Sequence, residues 1–121
     1  MDQAPRIRSP TVSRPRIVCL CGSTRFLAEF DEASLHETLE GRIVLSIGST
    51  RRSDHEALGH LSSDDRKEIL ATLAALHRAK IDLADEVLVV NPDGYIGAST
   101  SNEIEYARQQ EEPIRFTTTP E

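Results

Sequence analysis

Apolar residues fall along this chain in short unbroken runs that alternate with stretches of helical spacing. Val87, Leu88, Val89 and Val90 are continuous rather than alternating, the pattern of a strand covered on both faces in a parallel sheet. Similar runs predict strands over 16–21, 42–47, 86–90 and 114–117, with helices over 25–40, 63–84 and 100–110 between them. Phe26, Leu27, Phe30, Leu35 and Leu39 are the expected inward face of the first helix, and Ile69, Leu73, Leu76 and Leu83 that of the second. Gly22, Ser23 and Thr24 form a tight turn, Gly41 ends the first helix, and Ser62 with Asp65 has the character of an N-cap. Asn91, Pro92, Asp93 and Gly94 stop the third strand.

Strand and helix in alternation imply right-handed crossovers and an α/β fold: a flavodoxin-like or Rossmann-like three-layer sandwich with a parallel sheet of four or five strands. The polar, glycine-bearing stretch 48–61 is long for a connection in such units and is expected to be a functional loop or lid.

A chain of 121 residues has room for one core. Residues 1–15, where Pro5, Pro10 and Pro15 interleave with arginines, read as a disordered lead-in, and 16–121 as a single domain. Residues 1–16 carry +3 of a formal net charge of −6, which leaves −9 on the remainder. An acidic body argues against a surface that wraps a polynucleotide. No apolar run reaches the ~20 residues of a membrane span, nor does the N-terminus have a secretory signal's apolar centre, so a cytoplasmic protein without a membrane partner is expected.

Cys19 and Cys21 lie two apart in a strand and share a face, poorly placed to pair with each other. They are expected to be small packing residues. His36, His55, His60 and His77 make no metal-ligand spacing with them, so neither a metal site nor a cofactor is expected.

Candidate chemistry lies at the carboxyl ends of the strands, where ligands bind in open parallel sheets. After the first strand, Gly22 permits close backbone approach, and Ser23, Thr24 and Arg25 offer groups suited to a phosphate. Local pattern alone favours a turn in which Ser23 or Thr24 caps a helix and Arg25 stands in solvent. After the third strand, a loop with Gly94, Gly97, Ser99, Thr100 and Ser101 runs into Glu103. Thr100 and Glu103 have capping-box spacing, while a hydroxyl-rich loop beside a carboxylate suits sugars and phosphates. Tyr106 is expected to pack against the sheet. His77, Lys80 and Asp82 sit near the end of the second helix, which simple topology carries to the far edge of the sheet, so they read as structural.

Two blocks, VCLCGSTRF over 18–26 and ADEVLVVNPDGYIGASTSNEIEYA over 84–107, resemble the nucleoside 2-deoxyribosyltransferase-like family, which includes 2'-deoxynucleoside 5'-phosphate N-hydrolases. The resemblance implies a flavodoxin-like fold, association as a dimer or higher homo-oligomer, and Glu103 as a nucleophile attacking the sugar's anomeric carbon. His77 falls where the family has an aspartate in the preceding helix, and Gly97 where it has one six residues before the glutamate. Asp93 and Asp82 are therefore the candidate acids.

The expected function is cleavage of the N-glycosidic bond of a nucleoside or its 5'-monophosphate, by hydrolysis or transfer. Gly22, Ser23, Thr24, Arg25, Gly97, Ser99 and Ser101 would hold the substrate, with Glu103, Asp93 and Asp82 as catalytic groups. Two alternatives are a nucleotide-binding sensor without catalysis and a phosphoribohydrolase of the cytokinin-activating type, whose Pro-Gly-Gly-x-Gly-Thr signature this chain lacks.

Overall fold

A computed structural model describes residues 14–47 and 58–119. Most of the 1–15 lead-in and of the 48–61 stretch lies outside the described residues. Four strands, β1 (Ile17–Gly22), β2 (Ile43–Leu45), β3 (Glu86–Val90) and β4 (Ile114–Phe116), form one sheet in the order β2-β1-β3-β4. All neighbours are parallel, with Cys19 opposite Val87 and Leu45, and Val89 opposite Phe116. The α-helices are α1 (Leu27–Leu39), α2 (Ser63–Leu83) and α3 (Ala98–Gln109). This is a flavodoxin-like or Rossmann-like α/β arrangement, and the strand order reverses direction between β1 and β3, the point where ligands bind in such sheets.

The continuous apolar runs have the consequence their pattern predicts. Val18 and Leu20 pack with Leu88, Val90, Phe30 and Ala33 beneath α1. Cys19, Cys21, Val87 and Val89 face the other way, against Ile81 of α2 and Ile104 and Ala107 of α3. Each full burial of a large aliphatic side chain contributes about 2 kcal/mol, and β3, buried along its whole length, is the spine of both layers. At its end Asn91 is buried and fully bonded: its Oδ1 accepts from the Thr118 N–H at 2.8 Å and its Nδ2 donates to the Thr118 carbonyl at 2.9 Å.

Two helical faces differ from the expected ones. In α1 the inward residues are Phe30, Ala33 and Glu37, while Leu35 and Leu39 are exposed at 60% and 76%. At 3.6 residues per turn the two leucines lie roughly opposite that stripe. The buried Glu37 holds its inward place because Arg115 donates to it at 2.6 Å and Arg42 at 3.3 Å, satisfying a charge that would otherwise be costly inside. In α2 only His77 and Ile81 are buried, whereas Leu76 and Leu83 are exposed at 52% and 66%.

The far edge of the sheet, opposite the ligand edge, is held by charge. Arg115 also donates to Glu86 at 2.7 Å, as does Arg16 at 2.8 Å. Asp85 accepts from Arg14 and from the Ile17 N–H, each at 2.7 Å. The Arg14 hydrogen bond, followed by that backbone donor, holds the Asp85 carboxyl down to about 2.

Candidate functional site

A pocket of about 380 Å³ opens at the β1/β3 reversal. Gly22, Ser23 and Thr24 from the β1 loop form one side; Tyr95, Gly97, Ala98, Ser99, Thr100 and Glu103 from the β3 loop and α3 form another. Ile47, Leu70, Leu73, Ala74 and His77 complete the described wall. The loops can come this close because Gly22 has no side chain: a Cβ there would stand 2.7 Å from the Val90 carbonyl oxygen.

The capping reading of Glu103 does not hold. α3 starts at Ala98 with Gly97 as its N-cap, and no side chain caps it. Thr100 is already inside the helix, in its first turn, and buried, so it does not stand at the N-cap position. Glu103, in the second turn, is too far along for a capping box and stands on the pocket wall instead.

His77 is beside it. Its Nε2 lies 3.7 Å from Glu103 Oε1, 3.2 Å from Cys21 Sγ and 3.8 Å from Cys19 Sγ. The expectation that His77 is carried to the far edge is corrected by the length of α2. A helix of 21 residues runs ~32 Å, about twice the ~17 Å of a five-residue strand. Its last turns therefore span the sheet, placing His77 six residues before its end level with Cys21. Its earlier turns overshoot the ligand edge, where Leu70 and Leu73 become an apolar pocket wall. Lys80 is structural, its Nζ donating to the Ser46 carbonyl at 2.7 Å.

Burial lowers the His77 imidazole, but its hydrogen bond to Cys19 and the Glu103 charge outweigh that and leave it raised above the ordinary histidine value. The hydrogen bond from Cys21, reinforced by His77, pushes the Cys19 thiol down to about 5. Cys21 moves the other way, because it donates to Cys19 and is buried. The two cysteines are buried free thiols packed in the core, as expected.

The β1 turn has the cap the sequence offered, and it also borders the pocket. Ser23 Oγ accepts from the Arg25 N–H at 3.2 Å, capping a short 3-10 turn over Thr24–Phe26, and Ser23 and Thr24 line the pocket. Arg25 is not part of the described wall: its guanidinium stacks 4.6 Å from the centre of the Tyr95 ring, and that ring meets Phe26 edge-on at 5.6 Å. Tyr95 thereby joins the two loops. Nothing in the sequence marked it, since one aromatic after a turn has no periodicity.

Gly97, Ser99 and Glu103 come together in the wall, while Ser101, Asp93 and Asp82 are not among its described residues. Asp93 sits in the turn Pro92–Gly94 with a left-handed φ of 56°. Asp82 accepts from the Tyr106 hydroxyl at 2.7 Å, while the Tyr106 ring packs against the core as expected. Among the described residues no helix is long and apolar enough to cross a membrane. Compared with family models, curated proteins and solved structures, the chain matches none.

Proposed function

We propose that this pocket cleaves the N-glycosidic bond of a nucleoside or nucleoside 5'-monophosphate, with Glu103 as the nucleophile. The observation that carries the reading is the position of Glu103. Its carboxylate lies beyond the first turn of α3, 3.7 Å from the His77 imidazole, and lines the same pocket as Ser23 and Thr24 at the strand-order reversal. Resemblance of the two sequence blocks to the deoxyribosyltransferase-like family supports the same role.

Glu103 attacks the anomeric carbon through an oxocarbenium-like transition state; as the glycosyl ester forms, the carbon–nitrogen bond breaks with its electron pair going to the base, which takes a proton from solvent. Water or a second base then releases the sugar. Ser23, Thr24 and the neighbouring amides hold the 5'-phosphate, Ser99 and Gly97 border the sugar, and Ile47, Leu70, Leu73 and Ala74 offer the base an apolar wall. His77, as imidazolium, keeps Glu103 ionised and fixed in direction. Asp82 drops out as the acid because its carboxylate is occupied by Tyr106. Exposed Ile69, Leu70, Leu73 and Leu76 on the overshooting part of α2 support self-association of a cytoplasmic enzyme.

One observation favours the sensor reading as an alternative: neither candidate acid, Asp82 nor Asp93, is in the described wall. A chromatographic screen of ribo- and deoxynucleosides and their monophosphates, with and without added free base, separates the readings. Free base means hydrolysis and exchanged nucleoside means transfer. Tight nucleotide binding without either product means a sensor.

A further inference from the structure

We propose that Cys19, Cys21 and His77, closed by Glu103, form a binding site for a thiophilic divalent metal ion, with zinc as the probe. Strand alternation puts both sulfurs on one face of β1, and α2 lays His77 over them with Nε2 at 3.2 and 3.8 Å. The three ligand atoms all lie within 4.8 Å of one another. A tetrahedral zinc ion, with bonds of ~2.3 Å to sulfur and ~2.0 Å to nitrogen, sets sulfur–nitrogen separations of roughly 3.5 Å. The observed pair brackets that value, so shifts of a few tenths of an ångström admit the ion.

The fourth position faces the pocket side, where Glu103 Oε1, 3.7 Å from the same nitrogen but outside the three-atom cluster, can turn in to fill it. Two thiolates, an imidazole and one carboxylate select zinc or cadmium over magnesium or calcium. His77 and Glu103 both line the pocket, which gives the ion its way in. Binding sends the protons held by the two thiols and by His77 Nε2 to solvent. Sequence spacing did not reveal the set because its four members, successively 2, 56 and 26 residues apart, come from three elements.

Metal binding stands independently of the glycosidase reading; one consequence rests on that reading. An ion held by Glu103 occupies the nucleophile's lone pairs, so zinc-loaded protein loses base release and a chelator restores it.

The test is a titration of chelator-treated full-length protein with Co²⁺ and then Zn²⁺, without substrate and without oxygen. The expected result is thiolate-to-cobalt charge-transfer absorption saturating at one equivalent and lost on zinc addition. Competition with a chromophoric chelator should show zinc binding weakened at least ~100-fold in Cys21→Ser and at least ~10-fold in His77→Gln. Absence of charge-transfer absorption from the wild type overturns the site whatever the variants do, and so does equal zinc affinity in wild type and both variants. Base release without metal binding overturns this proposal alone; stoichiometric metal binding without base release overturns only the glycosidase reading.

Discussion

His77 Nε2 stands 3.7 Å from Glu103 Oε1, joining the overshooting helix α2 to the start of α3 at the floor of the pocket. The pair places a group able to carry positive charge beside the carboxylate proposed to attack the sugar. His77→Gln keeps a polar side chain of similar size but removes that charge. We expect kcat to fall roughly 10- to 100-fold with KM little changed. Because the His77 imidazole is raised, wild-type activity should decline as pH rises through its titration, and His77→Gln should lack that limb. A pH–rate profile of metal-free protein checks both, and an unchanged profile contradicts the role.

Asp82 provides the converse test. Its carboxylate accepts from Tyr106 outside the described pocket wall, so Asp82→Asn should keep kcat/KM within about twofold, since no transition-state contact is removed. Steady-state assays decide it; a loss of a hundredfold would return Asp82 to the reacting centre.

Glu112 reverses the usual sign for a carboxylate. Burial, followed by the charges of Cys19, Asp82 and Asp85, pushes it up to about 7, and its Oε1 is buried without a hydrogen bond. A carboxyl raised on folding contributes fully below its unfolded value of about 4.5, and that contribution is lost as pH rises toward 7. Glu112→Gln should therefore match the wild type at pH 4.5 and exceed it at pH 8. Partial solvent contact limits the gain to about 1 kcal/mol. Urea titrations at the two pH values measure it, and equal differences at both would refute the assignment.

Gly22→Ala tests the closeness of the two loops. With its Cβ 2.7 Å from the Val90 carbonyl oxygen and 3.0 Å from the Phe30 ring, overpacking should cost about 1–3 kcal/mol. Denaturant midpoints report this; an unchanged midpoint would mean that the junction yields.

The sheet was legible in the sequence because a strand buried on both faces leaves an unbroken apolar run, and 86–90 coincides with β3 as observed. Helix faces were less so. Leu35 and Leu39 are at helical spacing from each other but roughly opposite Phe30, and the inward stripe is completed instead by a buried Glu37 satisfied by Arg115 from β4. A pairing 78 residues apart leaves no local mark. In the site, the glycine and hydroxyl residues of the two loops were readable from turn chemistry. His77 was not, because its position depends on the length of α2 relative to the strands, and neither was Tyr95, whose contacts are with Arg25 and Phe26 across the pocket mouth. Thr100 had the right spacing for a cap, but the helix begins two residues earlier, at Ala98.

The most direct measurement is release of free base from nucleosides and nucleoside 5'-monophosphates by the wild type and by Glu103→Gln, followed by chromatography. Glu103→Gln keeps the side chain's shape but cannot form the glycosyl ester, so base release by the wild type and a loss of roughly 10³-fold or more in the variant are expected. Full turnover by Glu103→Gln on every nucleotide that the wild type cleaves would contradict it.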